Sequence, residues 1–328
     1  MVRVGAGTHV YEQVENWEKL PEGWVLGQTA IVTDSRDRVF VFSRSDHPVT
    51  IFERDGRFVG AWGAGEFVRP HGLHIGPDDS VYCCDDQDHT VRKYTADGKL
   101  LMKLGVSGQA SDTGATTTDY RDIKHVGPPF NQPTNLALSP DGEMYITDGY
   151  GNARVHKFSA DGQLLYSWGE PGDGPGQFHL PHGIAVDPKG TVYVADRENS
   201  RIQLFSPEGE YITEWKNMLR PANICVGSDD QFYVAEMGWR AGLYPGMTPP
   251  TPDPIGGRLS LFNGKGELLE RWGGGDNPCS EGDFFAPHDV SADSHGDLYV
   301  GEVVFAAGVR HGLVPPDCKC LQKFVRKG

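Results

Sequence analysis

Apolar and polar positions alternate along this chain in short runs, and the runs recur at a fixed spacing. A residue that opens an apolar run is followed twelve positions later by an aromatic in the next run: Gln28/Phe40, Pro70/Tyr82, Pro133/Tyr145, Pro181/Tyr193, Pro221/Tyr233 and Pro287/Tyr299. Turn residues separate the two runs in each pair, as in Pro140-Asp141-Gly142, Pro188-Lys189-Gly190 and Ser228-Asp229-Asp230. A period of two in side-chain character, bounded by such turns, is the mark of half-buried β-strands. Most units add a third run and a second turn, as in VRKYTADGKLLMKLG and VHKFSADGQLLYSWG. Helical patterns of useful length are absent. Six units of about four short strands predict an all-β, six-bladed β-propeller. The sixth unit is one strand short, with only CLQKFVRK after Tyr299. The N-terminal HVYEQVENW is expected to supply the missing outer strand of that last blade, which closes the sheet edge and makes residues 1–328 one domain.

Composition narrows the function. An apolar content of 38% over 328 residues is ample for a core. The formal charge of −15 disfavours nucleic acid and anionic membranes as partners, because both are bound through Lys and Arg. The opening stretch MVRVGAGTHVYEQVENW has no apolar run of signal-peptide length, and no segment is long and apolar enough to span a bilayer, so a cytoplasmic protein is expected. On that basis Cys83, Cys84, Cys225, Cys279, Cys318 and Cys320 are expected to be thiols.

The residue after each opening position is Thr29, His71, Thr134, His182, Ala222 and His288. Histidine therefore occupies blades two, four and six. The first strands of a propeller line its central channel, so these three imidazoles are expected to converge at one level. Three imidazoles approaching from three directions suit one divalent metal with an open coordination position. His74, His89, His156 and His295 fall outside this register and are expected at the surface or in turns.

The second strand of a blade ends on the face where the first begins. The positions three past each aromatic are Ser43, Asp85, Asp148, Asp196, Glu236 and Glu302, and acids that recur in nearly every blade are expected to bind backbone amides between strands. Arg44, Tyr150 and Arg197 lie just beyond and break the repeat pattern. Guanidinium and metal charge around a buried phenol favours the phenolate, hence a general base at Tyr150. Arginine also suits a substrate carboxylate. Insertions at 105–130, 238–257 and 304–317 are expected on the histidine side as ordered, irregular coils shaping a pocket.

The segments FVFSRSDHPV, RPHGLHIGPDDSVY, FNQPTNLALSPDGEMYITDGYGNARVHKFS, GQFHLPHGIAVDPKGTVYVADRENSRIQ and APHDVSADSHGDLYVGE carry a resemblance across nearly the whole chain. The units resemble NHL repeats, and the chain is similar to the peptidyl-α-hydroxyglycine α-amidating lyases. That resemblance implies cleavage of the C–N bond of an N-acyl-α-hydroxyglycine to an amide and glyoxylate. It implies a catalytic zinc on His71, His182 and His288, Tyr150 as base, and Arg44 and Arg197 completing the site. It also implies a structural calcium held by the backbone carbonyls of Ile31 and Leu73 and by the Asp289 side chain. The chain departs from the family's secreted animal members at Gly151, where they have a disulfide cysteine, and at Ala286, where they have methionine. It also lacks their copper monooxygenase domain, so a smaller carbinolamide or other α-hydroxy acid derivative is within reach as substrate. Two other classes stand against the lyase: a non-catalytic propeller that binds a ligand or protein partner, and a metal-dependent hydrolase such as a lactonase, whose sites rely on carboxylates and asparagine.

Overall fold

A computed structural model describes residues 2–227 and 230–327, and the turn expected at Ser228-Asp229-Asp230 lies partly outside them. The described residues form six antiparallel sheets in the order the repeat predicts, which makes the fold a six-bladed β-propeller. The first strands are Thr29–Thr33, Pro70–Ile75, Pro133–Leu138, Pro181–Val186, Pro221–Val226 and Pro287–Ala292. In five blades the strand begins on the proline itself, a position where its missing N–H costs no ladder bond. Each second strand ends on the acid or serine three past the aromatic, as in Val81–Asp85 and Val192–Asp196. These second strands are almost wholly buried, whereas outer strands such as Leu100–Leu104 and Leu164–Trp168 carry exposed leucines.

The blades fall into two compact units. One, Met1–Trp62 with Met218–Gly328, holds blades one, five and six; the other, Gly63–Asn217, holds blades two, three and four. Each has apolar cores between neighbouring blades. Leu136, Ile146, Phe130 and Phe158 pack with Tyr82 and Val91 between blades two and three. Tyr145, Val155 and Phe178 pack with Ile184 and Phe205 between blades three and four. In the first unit, Tyr11, Trp272, Leu259 and Phe324 fill the space between blades five and six. The N-terminal strand Tyr11–Val14 pairs antiparallel with Leu321–Arg326, which completes the last blade as expected, and a further short strand, Arg3–Val4, lies outside it.

The recurrent acids are structural. Asp85 accepts the backbone N–H of Val68 (2.7 Å) and Arg69 (2.9 Å), Asp148 that of Asn131 (2.7 Å), and Asp196 that of His179 (2.8 Å). Glu236 accepts from Leu219, and Glu302 from Phe285 (2.8 Å) and Ala286 (3.1 Å). Ser43 does the same for Gly27 (2.8 Å). These contacts tie the chain entering each blade to the strand beside it.

Two expectations need correction. Cys279 and Cys318 form a disulfide, so the thiol reading, and the support it lent to a reducing compartment, does not extend to them. Buried Cys83 and Cys84 are free, with thiols pushed well above the usual range by burial. His156 is neither at the surface nor in a turn. It is fully buried in the strand Arg154–Phe158, its Nδ1 2.7 Å from Ser167 Oγ and its ring edge-on to Phe130. It fills a place that Gln203, Ser260 and Gln322 take in later blades, each beside its blade's acid. His74 also belongs to a strand, Pro70–Ile75, whereas His295 is an exposed turn residue and His89 a turn residue with φ of 57°.

Candidate metal centre

In the unit of blades two to four, the register positions are His71, Thr134 and His182, all buried. Thr134 serves the scaffold, its hydroxyl 2.9 Å from the Pro181 carbonyl oxygen. His71 donates from Nδ1 to the Thr134 carbonyl oxygen at 2.7 Å. That bond fixes the tautomer and leaves the Nε2 lone pair as the ligand atom. The His71 and His182 rings lie 4.8 Å apart, centroid to centroid. Their Nε2 atoms face one point, the Tyr150 hydroxyl, at 3.0 and 3.3 Å. Two imidazole Nε2 atoms converging on one point are the donor chemistry a divalent ion takes.

Tyr150 reaches this point because of the glycines beside it. A Cβ on Gly149 would lie 2.1 Å from the Pro181 carbonyl oxygen, and one on Gly151 would lie 2.3 Å from Asn131 Oδ1. Gly149 must lack a side chain for the segment to press against the strand that carries His182, and Gly151 for it to press against Asn131. The contact at Gly151 also leaves no room for a cysteine. The insertion 105–130 braces the same segment: Thr113 donates from Oγ1 to the Gly151 carbonyl oxygen, and Asn131 Nδ2 donates to Thr113 Oγ1 at 2.8 Å. It also sets the Tyr120 ring against His179, tilted, with centroids 5.2 Å apart. This insertion is ordered and includes one 3-10 turn, Tyr120–Asp122.

Two guanidiniums flank the Tyr150 ring. Arg197 lies 5.7 Å from its centroid and pairs through Nε with Glu198 at 2.8 Å. Arg69 lies 5.4 Å from it and pairs with Asp86. Arg69 has no counterpart among the sequence-based candidates. The signal available was its place directly before Pro70-His71, but Arg220 holds the same place in blade five and has another use. There the guanidinium donates to the carbonyl oxygens of Ala241 and Gly242, both at 2.7 Å, and pins the base of the 238–257 insertion.

In the other unit, the register positions are Thr29, Ala222 and His288. His288 is buried at the second position of Pro287–Ala292. Asp289, beside it, accepts the backbone N–H of Ile31 (2.9 Å) and of Val290 (2.8 Å), and also bonds the Asn223 amide. Burial pushes its carboxyl up to about 7. Ile31 is in this unit and Leu73 in the other, both buried strand residues. Arg44 is half-buried and its guanidinium donates to Gln28 Oε1. The 304–317 insertion holds a short helix, Val304–Ala307, and a 3-10 turn, Val309–His311. It packs Val304 and Val314 on Phe285 and Ala286, beside the Cys279–Cys318 bridge.

Repeated antiparallel blades define a six-bladed β-propeller. The NHL repeat profile matches residues 130–158 and 178–205. The chain is 35% identical to NHL repeat-containing protein 3 of Mus musculus over 251 residues, covering 72% of this chain and 69% of that protein. The chain therefore belongs to the NHL repeat-containing protein family. It is 28% identical over 262 residues to peptidyl-alpha-hydroxyglycine alpha-amidating lyase 1 of Drosophila melanogaster, covering 74% of this chain and 44% of that lyase, so it spans under half the lyase's length. Among solved structures, a streptogramin B lyase superposes with a TM-score of 0.60 over 97% of this chain and 98% of that one, at 14% identity, a likeness of fold.

Proposed function

We propose that the protein is a metal-dependent carbon–nitrogen lyase acting on an N-acyl-α-hydroxyglycine or a smaller carbinolamide with an α-carboxylate. The observation that carries the reading is the Tyr150 hydroxyl held between the Nε2 atoms of His71 and His182, next to two arginine–carboxylate pairs whose acids are buried. Similarity to proteins named amidating lyases supports the same reaction class. His288, the third buried histidine in the register, is the proposed third ligand.

A bound divalent ion, zinc in this proposal, would polarise the substrate hydroxyl and ease loss of its proton. Tyr150 is the proposed acceptor of that proton. The C–O bond becomes a carbonyl while the C–N bond breaks. Its electron pair goes to the amide nitrogen, which takes the proton back from Tyr150 to leave as the primary amide, with glyoxylate as the other product. Arg197 and Arg44 complete the site, and the charge of an arginine suits the substrate's carboxylate. A structural calcium at Asp289 with the carbonyls of Ile31 and Leu73 is proposed alongside. What supports it is a buried carboxylate whose bonding partners among the described residues, Ile31, Val290 and Asn223, are all neutral donors.

The test is metal analysis of the purified protein together with release of glyoxylate from α-hydroxyhippurate. Bound zinc with glyoxylate release, lowered at least a hundredfold by Tyr150→Phe with the zinc retained, is the expected result. Zinc without turnover would remove the lyase and favour a second reading, a ligand-binding propeller, which the activity-free name of NHL repeat-containing protein 3 keeps open. Absence of any bound or rebindable metal would end the first reading outright.

A further inference from the structure

We propose that Arg69, braced by Asp86, anchors the carboxylate of the substrate and so sets which substrates the site accepts. This rests on the lyase reading above for the identity of the substrate, though the geometry is that of one compact unit. The Arg69 backbone N–H is fixed by Asp85 at 2.9 Å, and its side chain forms a fork with Asp86, Nε to Oδ1 at 2.7 Å and to Oδ2 at 2.9 Å. Asp86 is wholly buried, while the Arg69 side chain keeps 27% of its surface exposed; Arg197 keeps 4%. Of the two guanidiniums that flank Tyr150, Arg69 is thus the more exposed.

The fork uses the Nε and Nη2 side of the guanidinium and turns the Nη1 side away from Asp86. A guanidinium carries five donors in a rigid plane, so one edge can be held by a buried acid while another meets a second carboxylate. Holding the first edge freezes the rotamer in advance, which lowers the ordering cost when an anion binds. The guanidinium lies over the face of the ring whose hydroxyl meets His71 and His182. A carboxylate bound there would keep its own α-carbon beside that hydroxyl. Neutral carbinolamides would lack this contact and be rejected.

The experiment titrates glyoxylate, and separately benzamide, into metal-loaded protein by calorimetry, for the native chain, Arg69→Met and Arg69→Lys, with bound metal and melting temperature measured for each. The expected result is at least tenfold weaker glyoxylate binding in Arg69→Met, partial recovery in Arg69→Lys, unchanged benzamide binding and unchanged metal content. Glyoxylate binding equal to that of the native chain would overturn the proposal. So would a proportional loss of both ligands, which would mean that Arg69 only props Tyr150. Steady-state kinetics on α-hydroxyhippurate separates the two readings. Turnover with an unchanged KM in Arg69→Met sinks the anchor and spares the lyase. No turnover, but Arg69-dependent glyoxylate binding, sinks the lyase and spares the anchor.

Discussion

At the scale of single residues, the site depends as much on missing side chains as on present ones. Gly149 is the sharpest case, because an added methyl would meet the Pro181 carbonyl oxygen at 2.1 Å. The obstacle is backbone and cannot rotate away. Gly149→Ala should therefore force apart the segment bearing Tyr150 and the strand bearing His182. The expected cost is about 1–3 kcal/mol of stability, read from denaturant unfolding, with at least a tenfold loss of glyoxylate release. Unchanged activity and stability would show that the close approach is not needed. The histidine register was legible in the sequence because a period of twelve repeats it six times. Arg69 was not, because Arg-Pro occurs twice with different uses: Arg69 turns to Asp86 and Tyr150, whereas Arg220 turns to the carbonyls of its own insertion. A dipeptide does not say which way a guanidinium turns. Nor does cysteine spacing say that Cys279 meets Cys318 rather than Cys320.

At the scale of the element, each second strand ends on a polar residue that holds the chain entering its blade, and burial gives that arrangement a pH signature. Glu302 accepts two backbone N–H groups and one amide of Gln322, yet burial pushes its carboxyl from 4.5 up to about 7. The raised value means that the folded chain binds more protons than the unfolded chain between those limits. Stability is then greatest below about pH 4.5 as far as this group is concerned, and falls as pH rises toward 7. The full penalty above that range is about 3 kcal/mol at roughly 1.4 kcal/mol per unit. Asp196, raised to about 6 by burial, adds a step of the same sign. Glu302→Gln keeps an acceptor for the two amides and cannot ionise. Its melting temperature should vary less between pH 5 and pH 8 than that of the native chain. An equally steep variation would mean that Glu302 is ionised throughout. The acid slot itself was readable from the repeat; the depth of its burial was not, because Arg92, His156 and Gln203 follow one another in the third strands with no common residue type.

At the scale of the whole molecule, the last blade is assembled from opposite ends of the sequence. Tyr11–Val14 and Leu321–Arg326 are adjacent strands, with Tyr11 opposite Arg326 and Val14 opposite Lys323. Contacts between residues this far apart in the chain form late, since loop closure must come first. The sequence disclosed this closure through a deficit, five complete units and a sixth one strand short. Tyr11 carries much of it: the ring is fully buried, stacks on Trp272 at 5.5 Å, and its hydroxyl meets that of Tyr233 at 2.8 Å. Tyr11→Ala should cost about 3–5 kcal/mol, as other buried aromatic truncations do. Loosening the strand would also uncover the edge of Leu321–Arg326, whose unpaired amides and carbonyls invite pairing between molecules. The expected result is a lower unfolding midpoint together with concentration-dependent aggregation on heating. Leu165→Ala supplies the control. Leu165 sits half exposed on the outer strand of blade three, and the same deletion there should cost under about 1 kcal/mol and leave aggregation unchanged. Equal costs at the two sites would mean that the N-terminal strand decorates the last blade without closing it. A large cost at Tyr11 alone would mean that the sheet is finished only when Tyr11–Val14 docks on the last strand of the sequence.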